Sequence, residues 1–258
     1  MGGDGSVRPP AIAKAQDQLF APGKSSIAKY AELVVGRPGI GSLLRYEIVV
    51  TLAQARAGAL GLALRKALYP WLLGSCGRNV VFGQNVVLRH PHKIHLGDRV
   101  FIDDNCLIDA KGESNRGIRI GSGVFIGRNT ILSCKNGDIH VGDDANIGFN
   151  CELFSASTVR IGASALLAAY TYGIGGDHDF SDPLQAVLSQ RRTSSGITIG
   201  EGAWTGAGAK ILDGVSIGPR AVIGAGAVVR DDVPAGAVAV GIPARVVSTR
   251  ASDSTPRT

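Results

Sequence analysis

The sequence predicts a mainly β protein, a solenoid of six-residue repeats that follows an N-terminal helical segment. An aliphatic or near-aliphatic residue returns at every sixth position from Ile199 to Val229, a period that neither a helix nor an ordinary strand has. Four residues later in each unit stands a small residue or a valine, such as Ala203 or Val215. A repeat this short, with two inward positions, is typical of a β-solenoid whose stacked coils bury a continuous core.

The composition agrees with this fold. The chain has 36 glycines and only 5% aromatic residues. A stacked coil explains both biases, because its interior admits slim aliphatic side chains and its corners need residues that tolerate positive φ.

The same period continues upstream with interruptions. Three repeats make one coil of 18 residues, yet the first aliphatics of successive coils lie 24, 21, 20 and 38 residues apart, at Leu96, Ile120, Val141, Ile161 and Ile199. Insertions must therefore leave the solenoid at its corners. The longest, about residues 172–196, is where function is expected, since loops on a rigid repeat scaffold carry most binding and catalytic residues.

The remaining segments differ from the solenoid at 76–234. Residues 1–25 are predicted to be largely disordered, as is the tail from about Ser248 within the C-terminal extension 235–258. Residues 26–75 carry leucines at helical spacing, for example Leu60, Leu64 and Leu68. We expect one or two helices there. Charged residues interrupt them too often for a membrane span, and no secretory signal is recognisable.

This helical segment has two interpretations. Its apolar face can cap the open end of the solenoid. Alternatively, it can touch an anionic membrane surface through a basic and aromatic set, namely Arg45, Arg56, Arg65, Lys66 and Tyr69-Pro70-Trp71. The net charge of +6 and the pI near 9.3 allow anionic ligands in general. A nucleic-acid partner is not predicted, because the basic residues are dispersed and no nucleic-acid module is recognisable.

Cysteines and histidines provide few other candidates. Four cysteines show neither a CxxC pair nor a disulfide framework: Cys76, Cys106, Cys134 and Cys151. Cys106 and Cys151 fall at inward positions and are predicted core residues, and a reducing cytoplasm is the expected compartment. His90, His92 and His95 lie close in sequence. Strand alternation should point His92 and His95 to different faces, so no metal site is predicted.

His178 is different, because it lies in the longest insertion. At this point the sequence resembles the hexapeptide-repeat acyltransferases, and most of all the maltose/galactoside-type and polysaccharide-modifying sugar O-acetyltransferases. The resemblance covers about residues 80–245. Besides the repeats, it rests on the segments His178–Pro183, Ile199–Gly206, Ile223–Val229, Asp232–Pro234 and Gly241–Arg245.

The resemblance implies a left-handed parallel β-helix, usually a homotrimer with active sites between subunits. It also implies acetyl-CoA as the acyl donor, a sugar or glycan-precursor acceptor and no metal. In this family the acceptor attacks acyl-CoA directly, with His178 here as general base. Asp177, Asp179 or a backbone carbonyl would orient the imidazole ring.

Other site residues carry over one at a time. Asn150 matches an acceptor-binding asparagine, although a role as a turn residue is equally open. Trp204 matches a tryptophan beside the pantetheine arm and by alternation should point outward. Ala225 lies where that arm follows backbone amides, and Arg245 matches a cation near the nucleotide phosphates. Ala207 stands where the galactoside-type enzymes have a serine, which leaves the oxyanion donor to a backbone N–H or water.

Three alternatives remain open from the sequence. An amino-sugar N-acyltransferase can use the same fold and base. A solenoid carbonic anhydrase would need three metal-binding histidines, against the single histidine of this loop. A non-catalytic scaffold subunit would need neither His178 nor the Trp204 and Arg245 sites. The acceptor and the position acylated cannot be predicted from the sequence.

Overall fold

The computed structural model describes residues 22–250, and its strands stack into a parallel β-helix preceded by helices, as predicted. The predictions of disorder for residues 1–21 and 251–258 fall outside the described residues. Each complete coil contributes one short strand to each of three sheets, and these strands pair in parallel from coil to coil.

The strands are numbered in chain order. Sheet A contains β1 (Ser75–Cys76), β4 (Ile94–Leu96), β7 (Ile118–Ile120), β10 (Asp138–Val141), β13 (Thr158–Ile161), β18 (Ile197–Ile199) and β21 (Ser216–Ile217). Sheet B contains β2 (Val81–Phe82), β5 (Phe101–Ile102), β8 (Phe125–Ile126), β11 (Asn146–Ile147), β14 (Leu166–Leu167), β19 (Trp204–Thr205), β22 (Val222–Ile223), β24 (Ala237–Val240) and β25 (Arg245–Thr249). Sheet C contains β3 (Val87–Arg89), β6 (Leu107–Asp109), β9 (Ile131–Cys134), β12 (Glu152–Ser155), β15 (Tyr172–Gly175), β20 (Lys210–Ile211) and β23 (Val228–Val229).

Both predicted inward positions of the repeat are buried. Ile147 and Leu153 are fully buried, and so is the small residue Ala203. Cys106 and Cys151 are also fully buried, as predicted, and burial raises the pKa of their thiols to about 12 and about 11. These two cysteines are therefore core residues and not nucleophiles.

All the insertions leave the solenoid at one corner. From sheet A to B and from B to C the inward aliphatics stay six residues apart, as in Ile120, Ile126 and Leu132. Extra residues occur only between sheets C and A, for example between Leu132 and Val141. The longest insertion begins at Gly176, because residues 172–175 pair in register with β12 as part of sheet C.

The B–C corner, in contrast, is uniform. In four coils it carries an asparagine with positive φ, namely Asn85, Asn105, Asn129 and Asn150. Asparagine tolerates this left-handed conformation better than most residues. The side chains also bond to one another, with Asn85 donating to Asn105 at 3.2 Å and Asn129 to Asn150 at 3.1 Å.

The N-terminal helical segment covers the first coil. It comprises α1 (Ser26–Tyr30), a π-helical turn (Ala31–Val35), α2 (Ile40–Ala53), α3 (Gly58–Leu68) and a 3₁₀ turn (Tyr69–Trp71). The Tyr46 hydroxyl donates to the Leu88 carbonyl and the Tyr69 hydroxyl to the Val86 carbonyl, both at 2.9 Å. Both tyrosine rings are buried. The capping interpretation therefore describes how this segment packs.

Arg65 belongs to the cap and not to a membrane-facing surface. Its side chain is buried and donates to the carbonyls of Phe82, Ala53 and Arg56 at 2.9, 3.1 and 2.6 Å. The prediction that Arg65 touches a membrane is thus wrong, because the guanidinium satisfies carbonyls inside the protein. Among the described residues, no helix combines the length and apolar character that crossing a bilayer requires.

The solenoid ends in a hairpin. Strand β25 pairs antiparallel with β24 and extends to Thr249. The predicted start of the disordered tail, at Ser248, is therefore too early. Ser248 and Thr249 lie in this exposed edge strand.

Candidate active site

His178 lies in a hairpin that leaves the C–A corner of the solenoid. Strand β16 (Asp177–His178) pairs antiparallel with β17 (Arg192–Thr193), so that His178 faces Arg192 across the hairpin. At the base of the hairpin the Ser194 hydroxyl donates to the Gly175 carbonyl at 2.9 Å. The insertion thus holds the half-buried imidazole next to the outer face of sheet C.

Neither neighbouring aspartate orients the imidazole ring through Nδ1. That nitrogen is enclosed and has no hydrogen-bond partner among residues 22–250. The Asp177 carboxylate accepts the backbone N–H of His178 at 2.7 Å, and the Asp179 carboxylate accepts that of Ser181 at 2.9 Å. The latter bond lowers the pKa of Asp179. Both carboxylates therefore shape the loop and do not form a dyad with the histidine through Nδ1.

The space beside His178 is a cleft of about 90 Å³. Lys135, Phe154 and Arg192 are among its walls, and the Lys135 ammonium lies 5.0 Å from the centroid of the Phe154 ring. Pockets that enclose a whole ligand are typically about 300–1,000 Å³. The cleft therefore accommodates a reacting group and not an entire acceptor molecule.

The predicted donor-site residues lie along the other edge of sheet C, at the B–C corner. Trp204 points outward from sheet B, 47% exposed between the buried Ala203 and Thr205, as alternation predicts. Ala207 and Ala225 are exposed in adjacent coils, and Gly226 donates its N–H to the Ala207 carbonyl at 2.8 Å. We call Trp204, Ala207 and Ala225 the B–C strip, in which the two alanines have small side chains and Trp204 lies on the sheet B side.

Adjacent coils approach each other closely along this strip. A Cβ at Gly206 would lie 2.5 Å from the Ala225 nitrogen, so the coils approach closely only because Gly206 has none. Within residues 22–250, the N–H groups of Ala207 and Ala225 have no hydrogen-bond partner. They can serve as donors for a bound molecule.

Asn150 also lies on this corner, away from His178. It has a φ of 54°, and its side-chain oxygen accepts from Asn129, which is the geometry of a turn residue. Strand β15, of four residues, separates the B–C corner from the hairpin, a distance on the order of 13 Å at 3.3 Å per residue. One chain therefore does not bring Asn150 and His178 together.

Arg245 stands at the start of β25 and is already paired. Its guanidinium donates to the Asp231 carboxylate and to the Ala244 carbonyl, both at 2.9 Å. The side chain is 57% exposed. A phosphate approaching Arg245 would have to share it with Asp231.

The other candidate histidines make contacts away from His178. His92 stacks on His90 with ring centroids 6.1 Å apart, whereas His95 lies 3.0 Å from the Ser75 hydroxyl. In the part of the chain that the structure describes, no three His, Cys, Asp or Glu side chains are placed to hold a metal ion.

Comparisons with known proteins agree with this fold. The model for the bacterial transferase hexapeptide (six repeats) matches residues 196–231. A probable acetyltransferase of Mycobacterium tuberculosis is 32% identical over 185 residues, which cover 72% of this chain and 60% of the relative. The chain thus carries the hexapeptide repeat of the bacterial transferases and is similar to an acetyltransferase, of which it spans less than two thirds of the length.

Two solved structures are also similar to this one. A maltose O-acetyltransferase from Clostridium difficile 630 is 21% identical, with 94% of this chain and 100% of that chain covered and a TM-score of 0.42. An N-acyltransferase from Bacillus cereus, in complex with dTDP-4-amino-4,6-dideoxyglucose and coenzyme A, is 21% identical, with 69% and 85% covered and a TM-score of 0.49.

The sequence did not predict a second feature of this protein, a large cleft beside the hairpin. It has a volume of about 1110 Å³ and lies between the N-terminal segment and the C–A corner. Its walls come from stretches as distant as Lys24 and Arg192. No local motif joins them. The outward-facing residues that pair along sheet C, such as Arg89, Asp109 and Ser133, could have indicated one wall.

Proposed function

We propose that this protein transfers an acetyl group from acetyl-CoA to a hydroxyl of a sugar or glycan precursor, with His178 as the general base. The observation that carries the proposal is the placement of a half-buried imidazole in a small cleft beside an aromatic ring and a cation. As the acceptor oxygen attacks the thioester carbonyl, a ring nitrogen takes its proton. When the intermediate collapses, the C–S bond breaks and the imidazolium protonates the departing thiolate.

The B–C strip suits the donor. The indole of Trp204 supplies an exposed apolar wall, and the free N–H of Ala225 can bond to amide groups of the pantetheine arm. The free N–H of Ala207 is the proposed oxyanion donor, which replaces the serine hydroxyl that this chain lacks. Arg245 would meet the nucleotide phosphates beyond the last coil, in competition with Asp231.

We further propose a homotrimer in which the hairpin of one chain reaches the B–C strip of its neighbour. The strip and His178 lie at opposite edges of sheet C, and a second chain is the simplest way to unite them. The loop between β16 and β17 exposes apolar side chains that a neighbour would cover, including Phe180 at 74% and Leu184 at 94% exposure.

The cytoplasm is the proposed compartment, in keeping with four cysteines that form no disulfide. A hydroxyl acceptor is proposed here from the resemblance to sugar O-acetyltransferases, although the carboxylate of Asp177 lines the His178 cleft and could bind an ammonium group. The screen of acceptors should therefore include both alcohols and amines, and robust transfer to amines alone would identify the N-acyltransferase instead.

The decisive test combines two impaired variants, one in the hairpin and one in the strip. His178→Ala should lower kcat by roughly 10²–10⁴-fold and leave acetyl-CoA affinity unchanged, whereas His140→Ala, on the outer face of sheet A, should have little effect. Trp204→Ala should weaken donor binding. Mixed trimers of His178→Ala and Trp204→Ala chains should recover activity, because some interfaces then pair an intact hairpin with an intact strip.

Two results would overturn these proposals. Full activity in a folded His178→Ala protein would remove His178 from the mechanism. Full activity in a monomer, or mixed oligomers no more active than their parents, would show that one chain forms the whole site.

A further inference from the structure

The large cleft runs along the same edge of sheet C as the His178 hairpin. Its floor includes a column of outward residues in register, Arg89, Asp109 and Ser133, which continues through Phe154 and Ile174. Adjacent strands are about 4.8 Å apart, so this column extends on the order of 19 Å toward the hairpin. Residues of α1, the π-helical turn and the segment up to Gly39 form the facing wall.

The cleft carries an excess of positive charge. Seven Lys or Arg residues line it, against three Asp or Glu residues. Two of the three carboxylates are already paired, because Glu32 binds Lys24 at 2.6 Å and the buried Asp109 lies 3.8 Å from Arg89. Each of these two pairs is neutral overall, so the pairs do not remove the excess of cations in the cleft.

Three of the cations have no such partner. No carboxylate lies within 4.0 Å of Arg37, Lys135 or Arg192 among residues 22–250. They come from three separate parts of the chain and still converge on one concavity. Solvated surface cations would be expected to scatter, whereas a shared cleft concentrates their field on one ligand.

The cleft is continuous with the catalytic histidine. Lys135 and Arg192 line both the large cleft and the small one at His178, and Arg192 is the residue opposite His178 in the hairpin. A ligand whose reacting group occupies the small cleft would place its remaining groups among these cations. With about 1110 Å³, the cleft can hold more than a single sugar ring.

We propose that the large cleft is the acceptor site and that it binds a phosphorylated sugar, with Lys135 and Arg192 on its phosphate and the acylated hydroxyl at His178. The identity of the bound molecule as acceptor rests on the proposed function, whereas its binding does not. A guanidinium and an ammonium suit phosphate oxygens better than neutral hydroxyls. A sugar monophosphate and a nucleotide diphosphate-sugar share this chemistry.

Kinetics with three acceptor classes test the proposal. We expect kcat/KM for hexose 1-phosphates or for nucleotide diphosphate-hexoses to exceed that for free hexoses at least 10-fold. The phosphorylated class with the higher kcat/KM identifies whether the acceptor is a sugar monophosphate or a nucleotide sugar. Lys135→Gln and Arg192→Gln should each raise KM for the phosphorylated sugar about 10-fold, as expected for a lost charge-assisted bond at an exposed site. Neither should change KM for acetyl-CoA. Arg160→Gln, an exposed arginine on sheet A, is the matched control.

Calorimetry with the same sugar phosphates, without acetyl-CoA, separates this proposal from the proposed function. Binding that weakens in both variants and with added salt supports the cleft even if no acyl transfer is found, in which case the proposed function fails alone. Equal use of free and phosphorylated sugars, or variants that affect both alike, would overturn the cleft assignment and leave acyl transfer standing.

Discussion

Acid should loosen the helical cap, and His90 should account for a large part of the effect. His90 is buried at the junction of cap and solenoid, where its backbone N–H donates to Val34 and its Nε2 bonds to the Glu32 carbonyl at 3.0 Å. Nδ1 is enclosed and has no partner among residues 22–250. A second proton on the ring would therefore be buried without an acceptor.

The size of the effect follows from the pKa. Burial, with the nearby charges of His92, Lys93 and Lys111, lowers the pKa of His90 from its ordinary 6.5 to about 4. A histidine with a lowered pKa stabilises the fold fully above 6.5, and this contribution is lost as pH falls toward 4. At pH 5 the loss relative to pH 8 is about 2 kcal/mol. His92, whose pKa burial also lowers to about 4, adds to it.

Urea unfolding at pH 5 to 8 measures this loss. Trp204→Phe leaves Trp71, in the last turn of the cap, as the single tryptophan reporter, since the chain has two tryptophans. His90→Asn keeps a residue that tolerates the positive φ of 49° at this position and removes the titration. We expect a shallower pH dependence in the variant, with His92 responsible for what remains. Parallel stability curves for the two proteins would refute the assignment to His90.

Two further predictions concern arginines. Arg245→Ala should raise the Kd for acetyl-CoA only about 5-fold, because the exposed guanidinium already pairs with Asp231. Asp231→Asn should lower that Kd, and neither change should affect acetyl-pantetheine; equal effects on both donors would place Arg245 outside the nucleotide site. Arg65→Met should cost about 3–5 kcal/mol, since three carbonyls lose their donor. Thermal unfolding checks this against Lys66→Met on the exposed face, and matching values would contradict it.

The repeat could be predicted because parallel stacking gives every coil the same environment. The buried isoleucines of successive coils pair directly in register, as in Ile102, Ile126 and Ile147. The same burial therefore selects the same residue type in each coil. Cys106 and Cys151 fit the same rule, which is why a period sufficed to place them in the core. The helices of the N-terminal segment are not stacked copies of one unit, so their residues do not share one repeated environment.

The cap was harder to predict, because its key side chains bond to the first coil and not to their neighbours in sequence. Strands β2 and β3 are edge strands, whose carbonyls have no further coil to pair with. Arg65 donates to Phe82, and Tyr69 to Val86, at this edge. In the sequence, Arg65 is only a charge on a helix, and nothing local separates it from Lys66. The helix break after Val35, where Gly36 adopts a φ of 69°, was not predicted either.

Of the candidate site, the sequence could group only the residues that lie in one stretch. The length of the insertion singled out His178, and alternation placed Trp204 on the surface. Lys135, Arg192 and Arg37 could not be grouped, since they come from three coils or segments and meet only through folding. Asn150 could be interpreted either way, and its place in a column of left-handed asparagines explains the residue type without a ligand.

The difference between the two edges of sheet C has a consequence for how such a fold changes its acceptor. All the extra residues enter at the C–A corner, where His178 and the basic cleft lie, while the B–C corner keeps an unbroken six-residue spacing from Ile102 to Ile108 as from Thr205 to Ile211. A constant corner suits a donor that is the same in every reaction, because its amides must keep one spacing. A corner that tolerates insertions can vary its acceptor site without disturbing the stacked core. Because the two edges of one chain are separated by the width of a sheet, donor and acceptor would meet in the proposed trimer where two chains pack together. Oligomerisation is thus part of the proposed active site and not an addition to it.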